Sequence, residues 1–219
     1  MKSIILIAAP QAGKGTEAAI LKEQYNMPHI STGDLLRAAR EDGSERAKII
    51  AKHQDEGSFV PFDIVMDVLK DRIMEPDCDN GYILDGFPRD IKQAEAYNEI
   101  LKETGKDLGV VIVINMDLEV GISRVAGRLS CPNCKATYNI NSDIEELLPK
   151  VEGICNKCGS KLVKRSDDNE ETYMDRYNTY LEKTAPLIEY YEKFGVVRYV
   201  DGNKGKDYTH EQIVKILGE

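Results

Sequence analysis

The chain has 219 residues, of which 42% are hydrophobic and 31% charged, a composition typical of a globular protein with one sizeable core. Its 29 basic and 38 acidic residues give a net charge of −9, which disfavours binding to nucleic-acid backbones or anionic membranes. No segment has the length and apolarity of a membrane span or the pattern of a secretory signal peptide, so we expect a cytoplasmic protein.

The chain begins with the pattern of a strand, a loop and a helix. Residues 3–9 are apolar and β-branched, a glycine-rich loop follows, and residues 17–22 are strong helix formers. Residues 31–60 look helical throughout, punctuated by glycines. We interpret this stretch as an insertion into an α/β core rather than as a separate domain.

The same alternation of strand and helix recurs further along the chain. Strands are predicted at residues 82–84, 110–114 and 196–200, each followed by a helix, at residues 90–104, 118–128 and 210–217. Strands that alternate with helices indicate parallel strands with helical crossovers. The sequence therefore predicts a doubly wound α/β sheet.

Two stretches of the second half depart from this alternation. Residues 131–164 are irregular and carry paired cysteines, which indicates a second insertion. Residues 170–194 predict one long helix with a kink at Pro186. The predicted apolar stripe of that helix consists of Met174, Tyr177, Leu181, Ile188 and Tyr191.

The loop Gly13-Lys14-Gly15-Thr16 follows the first strand and precedes the first helix. Main-chain N–H groups at a helix N-terminus bind anions, and a lysine adds a positive charge that can follow a phosphoryl group. A plain glycine-rich turn is the alternative, but the position in a βαβ pattern favours a phosphate loop. Ala8 and Gln11 stand where such loops prefer glycine, and a Cβ at a residue with positive φ costs about 1 kcal/mol.

A second motif, Asp85-Gly86-Phe87-Pro88-Arg89, ends a predicted strand. A carboxylate at the carboxyl end of a strand, beside a phosphate loop, can order a hydrated Mg²⁺ ion. Arg89 can bind a phosphate through two N–H groups. Taken alone, the same five residues could form an ordinary turn.

Arginines form a third group of candidates. They are Arg37, Arg89, Arg124, Arg128, Arg165 and Arg176. Phosphoryl transfer spreads charge over several oxygens, so arginines that converge on a phosphate loop would be functional, whereas most arginines of an acidic protein form surface ion pairs. Arg124 and Arg128 are four residues apart in a predicted helix and should share one helix face.

Four of the five cysteines form two C-x-x-C pairs, Cys131 with Cys134 and Cys155 with Cys158, separated by twenty residues. This spacing indicates a tetrahedral Zn²⁺ site. Four thiolates leave no open coordination position, so the ion would be structural rather than catalytic. A redox function of the pairs is the alternative, and Cys78, which has no partner in the sequence, is interpreted as incidental.

Several of these motifs occur together and in order in one family. They lie at residues 13–16, 31–37, 85–89, 150–153, 165–172 and 184–188, together with the four paired cysteines. From about residue 2 to residue 218 the chain resembles adenylate kinases, in particular their long bacterial form with a zinc-bearing lid.

The resemblance implies a fold and a division into domains. The fold would be a doubly wound parallel sheet of five strands, of the P-loop NTPase type, with two insertions. Residues 1–30, 61–126 and 165–219 would form the core domain. Residues 31–60 would form a helical AMP-binding insertion, and residues 127–164 a lid with the zinc site.

The resemblance also implies a nucleoside monophosphate kinase that converts Mg-ATP and AMP reversibly into two ADP and maintains adenine nucleotide levels. Its partners would be ATP, AMP and ADP, with no nucleic acid and no membrane. The cofactors would be Mg²⁺ bound with ATP and a structural Zn²⁺ ion. No feature of the sequence suggests an oligomer, and we expect a monomer.

The site residues that the resemblance implies form four sets. The catalytic set is Lys14, Asp85, Arg89, Arg124, Arg165 and Arg176. The ATP-binding set is Gln11, Ala12, Gly13, Lys14, Gly15, Thr16, Arg128, Thr137, Tyr138 and Lys204. The AMP-binding set is Thr32, Arg37, Ser58, Phe59, Val60, Gly86, Phe87, Pro88, Arg89, Gln93, Arg165 and Arg176. The metal ligands would be Cys131, Cys134, Cys155 and Cys158.

Three alternatives stay open at this point. Ala8 and Gln11 replace glycines that the family usually has, which leaves room for a nucleotide-binding protein with impaired catalysis. A second alternative within the same class is specificity for GMP or a pyrimidine nucleotide. A zinc-ribbon protein that binds nucleic acid is the third, and the net charge of −9 and the lack of a basic stripe disfavour it.

Overall fold

The computed structural model describes residues 2–56, 60–134, 136–142, 145–164 and 168–218. The contacts within the chain define two compact units. The first contains the described parts of Met1–Ile7, Lys14–Val113 and Lys183–Tyr199, and the second those of Ala8–Gly13, Ile114–Glu182 and Val200–Glu219. The chain thus passes from the second unit to the first between Gly13 and Lys14.

The strands form one large and one small sheet. They are β1 (Ile4–Ala8), β2 (His29–Ser31), β3 (Ile83–Asp85), β4 (Val110–Asn115), β5 (Arg128–Ser130), β6 (Thr137–Asn139) and β7 (Val197–Asp201). The large sheet is parallel, with the order β2-β3-β1-β4-β7, and β5 and β6 form an antiparallel pair. Asp85 at the end of β3 lies opposite Leu6 of β1 and Ser31 of β2. The predicted doubly wound sheet of five parallel strands is confirmed.

Local signals in the sequence explain several ends of the helices. The helices are α1 (Lys14–Tyr25), α2 (Thr32–Ala39), α3 (Glu45–Asp55), α4 (Phe62–Ile73), α5 (Ile91–Thr104), α6 (Leu118–Gly127), α7 (Glu170–Thr179), α8 (Pro186–Glu192) and α9 (Lys206–Leu217). The side chain of Asp90 caps α5 by accepting the N–H of Gln93, and Gly105 ends that helix in the left-handed conformation. Among the helices of the described residues, none combines the length and apolarity that a bilayer crossing needs.

The helix predicted for residues 118–128 ends at Gly127, and this overturns one expectation. Arg128 is extended and begins β5, so Arg124 and Arg128 do not share a helix face, and that prediction is wrong. The chain leaves the helix here because β5 pairs with β6. Glycine is required at the turn, since a Cβ on Gly127 would lie 2.8 Å from the main-chain nitrogen of Asn141.

The helix predicted for residues 170–194 is interrupted rather than merely kinked. A π-helical segment, Tyr180–Thr184, follows α7, and Pro186 then starts α8 because proline has no N–H with which to continue a helix. The wider π turn rotates the side chains that follow it. Of the predicted apolar stripe, Tyr191 is fully buried, and Met174, Tyr177 and Ile188 are half-buried. Leu181 is 47% exposed, so the prediction is wrong at that residue.

Residues 31–60, predicted as helical throughout, contain the end of β2 and the two helices α2 and α3. α4, which the sequence did not predict, completes this region by packing against α2. An aliphatic cluster lies within these helices. Its buried members are Ile50, Ile64 and Val68, and Leu35, Leu36, Ala39 and Val60 pack against them.

The segment with the paired cysteines has a much smaller core. Beside the β5–β6 pair, its buried cluster consists of Cys131, Tyr138, Cys155 and Leu162. The rest of the segment is held by isolated bridges such as Ser130 with Val163. The irregular character predicted for this segment is confirmed, except for the short β5–β6 pair.

Candidate functional site

The phosphate loop joins β1 to α1. Gln11 has φ 68° and Gly13 has φ 89°, both in the left-handed region that glycine adopts freely and glutamine adopts at a cost of about 1 kcal/mol. The expectation that Gln11 stands at a glycine position is confirmed. No such strain exists at Ala8, because Gln11 and Asn26 are the residues other than glycine with positive φ in the described part of the chain.

Asp85 joins Lys14 and His29 at the carboxyl end of β3. One carboxylate oxygen lies 2.7 Å from Nζ of Lys14, and the other lies 3.1 Å from Nε2 of His29. Burial would raise the pKa of this carboxyl, but the hydrogen bond from His29 and the positive charge of Lys14 outweigh burial and lower the pKa to about 2. Asp85 is therefore ionised at neutral pH, which is the form that can order a hydrated Mg²⁺ ion.

The carbonyl of Gly86 organises the residues that follow Asp85. It accepts hydrogen bonds from Oγ1 of Thr32 and from Nε of Arg89, both at 2.9 Å. The main-chain N–H of Arg89 donates in turn to the side-chain oxygen of Gln93, at 2.9 Å. The structure thus brings together four residues of the predicted AMP-binding set.

Other members of that set have different surroundings. Phe87 is buried and packs edge-to-face against Tyr97, with ring centroids 5.8 Å apart, so it anchors the turn between Gly86 and Arg89. Arg37 is exposed and forms an ion pair with Asp34 on α2. Outside the described residues lie Ser58, Phe59 and Arg165.

Arg124 and Arg128 both contact Gln11 in the second unit. Nη1 of Arg124 donates to the main-chain oxygen of Gln11 at 3.3 Å, and Nη2 donates to the carbonyl of Gly202 at 2.8 Å. Nη1 of Arg128 donates to the side-chain oxygen of Gln11 at 3.2 Å, and Nε donates to the carboxylate of Asp168 at 2.8 Å. The two arginines meet at the loop, although not through a shared helix face.

The remaining predicted nucleotide residues lie on several elements. Arg176 is in the last turn of α7. Thr137 of β6 is exposed, whereas Tyr138 is buried beside the cysteines. The ammonium group of Lys204 lies 4.8 Å from the centre of the Tyr208 ring. Their contacts with nucleotide stay predictions.

The four paired cysteines converge. All of their sulfur atoms lie within 4.8 Å of one another, with Cys131 and Cys158 3.4 Å apart and Cys134 and Cys155 3.5 Å apart. Zn–S bonds of about 2.3 Å place tetrahedral sulfurs about 3.8 Å apart, so these residues fit a zinc ion. Hydrogen bonds from Ser160 lower the pKa of the Cys158 thiol to about 5, and thiolate is the form that binds metal.

Sequence analysis did not identify two residues that complete these groups. His29 reaches Asp85 across 56 positions of the chain, and Asp168 reaches Arg128 across 40 positions. Such pairs arise from tertiary packing, and no local spacing reveals them. The one available signal was that His29 lies two positions before the motif at residues 31–37 and that Asp168 lies within the motif at residues 165–172.

Comparison with known proteins agrees with this arrangement. A family model described as adenylate kinase matches residues 6–196. Similar curated proteins include the adenylate kinases of Acetivibrio thermocellus (44% identical, over 98% of this chain and 97% of the relative) and Lachnospira eligens (45%, over 98% and 99%). The adenylate kinase of Clostridioides difficile is 42% identical over 98% of both chains. A match of this extent, together with the phosphate loop and the Asp85 group, shows that the chain belongs to the adenylate kinase family.

Proposed function

We propose that the chain catalyses the reversible, Mg²⁺-dependent transfer of the γ-phosphoryl group of ATP to AMP, giving two ADP. Membership of the family makes the chain a nucleoside monophosphate kinase. The observation that carries the finer proposal is the pair of Lys14 and Asp85, 2.7 Å apart where the phosphate loop enters α1. In this proposal the ammonium group of Lys14 would contact a phosphate group, and the neighbouring carboxylate of Asp85 would order a hydrated magnesium ion.

For this reaction the protein mainly has to position the two nucleotides and neutralise the charge of their phosphate groups. An oxygen of the AMP phosphate attacks the γ-phosphorus of ATP, the bond from that phosphorus to the β–γ bridging oxygen breaks, and ADP leaves. The attacking oxygen is already anionic, so no general base is needed. Lys14 and the N–H groups at the start of α1 would neutralise charge on the transferring group, and bound Mg²⁺ would supply further charge neutralisation.

The acceptor nucleotide is proposed to bind near Gly86. Thr32 and Arg89 are held there by the Gly86 carbonyl, and Gln93 fixes the main chain of Arg89. With Nε of Arg89 engaged by the carbonyl, the N–H groups of its terminal nitrogens suit the phosphate of a monophosphate. Adenine as the base, and Arg165 and Arg176 as further phosphate ligands, are part of the proposal on the strength of the family resemblance.

The cysteine group is proposed to hold a structural zinc ion. Its four thiols would fill all positions of a tetrahedral ion, so the metal would stabilise the segment and would not take part in phosphoryl transfer.

An assay of ADP formation tests the proposed function. ATP is offered with AMP, GMP, CMP or UMP, with and without Mg²⁺, and we expect the fastest turnover with AMP and Mg²⁺. Lys14→Met should lower kcat by about 100-fold to 1,000-fold. Lys22→Met removes an exposed lysine of the same helix and should leave kcat unchanged. ATP binding without ADP formation, or a Lys14→Met variant as fast as the parent, would overturn the proposal.

A further inference from the structure

We propose that the side chain of Gln11 is a positioning residue for ATP binding: its carboxamide oxygen holds the guanidinium group of Arg128 at the phosphate loop. The inference rests on the proposed function and extends it to a position where the family usually has glycine. In this role Gln11 would support ATP binding, in contrast to the alternative in which it impairs catalysis.

The geometry around Arg128 supports this role. Nε and Nη2 of Arg128 both donate to the carboxylate of Asp168, whose side chain is 0% exposed. Nη1 donates to Oε1 of Gln11 at 3.2 Å. A planar guanidinium held by two acceptors in different directions has a fixed orientation.

The N–H groups that are left suit a phosphate. A guanidinium has five N–H donors, and three of those of Arg128 are engaged by Asp168 and Gln11. One N–H remains on each terminal nitrogen, with no acceptor among the residues that the structure describes. These two N–H groups can donate to the oxygens of a phosphate group.

The backbone of Gln11 shows why the side chain is needed. The residue keeps φ 68°, a conformation in which glycine would be relaxed and glutamine is strained. A hydrogen bond to a charged partner stabilises by more than this strain costs. The contact with Arg128 therefore compensates for the strained conformation.

A second contact at the same residue makes the role testable. Nη1 of Arg124 donates to the main-chain oxygen of Gln11, not to its side chain. Substitution of Gln11 therefore leaves the acceptor for Arg124 in place and removes the acceptor for Arg128.

The test compares Gln11→Ala and Gln11→Gly with the parent chain. Both variants lack the carboxamide, but only glycine relieves the strained φ. We expect KM for ATP to rise about tenfold in both, with kcat and KM for AMP within about twofold. Gln11→Gly should nevertheless unfold at a higher temperature than Gln11→Ala. If the role of Gln11 were confined to the backbone, glycine would restore or improve ATP binding, and that result would overturn the proposal.

A double-mutant cycle shows whether Gln11 acts through Arg128. In an Arg128→Lys background, Gln11→Ala should have little further effect on KM for ATP, because the partner that it holds is already lost. Equal effects of Gln11→Ala in both backgrounds would contradict the proposal. Gln54→Ala is the matched control, since Gln54 accepts a hydrogen bond from Arg40 at 3.1 Å and should not affect KM for ATP.

The same variants separate this inference from the proposed function. If the parent chain forms no ADP, the proposed function fails, and the cycle is measured instead with the dissociation constant for ATP. Absence of coupling there would overturn the role of Gln11 alone. Absence of any ATP binding would overturn both.

Discussion

Two segments of the chain reach stability by different means. The helical segment, residues 32–73, buries aliphatic side chains between three helices. The buried members of this aliphatic cluster are Ile50, Ile64 and Val68. The hydrophobic cluster of the cysteine segment, residues 128–163, has four buried members, and two of them, Cys131 and Cys155, belong to the proposed metal site.

This difference shows what a short segment needs in order to keep a stable folded conformation. Burial of aliphatic groups stabilises the helical segment and needs no cofactor. The cysteine segment has a three-residue antiparallel pair and too few apolar side chains for a core of that kind. A metal ion that links four thiols can supply the missing stabilisation. Dependence on metal is therefore expected of one segment and not of the other.

Removal of one metal-binding cysteine should have the largest effect on the stability of its segment. Cys155→Ser leaves three thiols, and the segment should lose metal binding that contributes about 10 kcal/mol or more in small zinc modules. We expect the zinc content to fall from one ion per chain to near zero, and amide exchange in residues 128–163 to accelerate by orders of magnitude. Metal analysis and hydrogen-exchange mass spectrometry measure both quantities.

Cys78→Ala is the matched control for that substitution. Cys78 is buried and is not one of the four converging thiols, so the zinc content should stay the same. Amide exchange in the helical segment should be unchanged by Cys155→Ser and by a chelator. A Cys155→Ser chain with full zinc content, or with protected amides in the cysteine segment, would contradict the comparison.

A substitution in the aliphatic cluster should give an intermediate effect. Ile50 is fully buried in the helical segment, and Ile50→Ala should destabilise that segment by about 3 kcal/mol through lost burial and a cavity. The adjacent Ile49 is 42% exposed, and Ile49→Ala should cost less than about 0.5 kcal/mol. Urea unfolding with and without added zinc measures the difference. If the destabilisation caused by Ile50→Ala changed when zinc was added, the two segments would not differ in their dependence on metal.

The large sheet was predictable because its signals are local. The strands predicted at residues 82–84, 110–114 and 196–200 are short apolar runs next to helix-forming stretches, and the structure confirms them with shifts of one residue. β2, β5 and β6 also have three residues each, as β3 has, but their sequences contain no apolar run like the one that marks β3. Leu181 was wrongly placed in the buried stripe because it lies in the π-helical turn at residues 180–184, which changes the rotation between α7 and α8.

The candidate site was predictable in its motifs and not in its pairings. The positions of Lys14, Asp85 and Arg89 follow from a loop and a strand end, which the sequence marks clearly. The partners His29 and Asp168 come from distant parts of the chain, so only packing brings His29 to Asp85 and Asp168 to Arg128. The monomer and the cytoplasmic compartment stay predictions from the sequence.

The smallest expected effect concerns the hydroxyl of Tyr138 in the cysteine segment. This oxygen accepts the main-chain N–H of Asn156 at 2.8 Å and lies 3.4 Å from the sulfur of Cys155. Tyr138→Phe removes both contacts, so metal release should be about tenfold faster and unfolding easier by about 1 kcal/mol. Tyr190→Phe also deletes a hydrogen-bonded hydroxyl, because the side-chain amide of Asn98 donates to the Tyr190 hydroxyl at 2.7 Å. This variant should leave metal release unchanged. Equal release rates in both variants, measured with a chromogenic chelator, would show that the hydroxyl supports the fold of the segment without supporting its metal ligands.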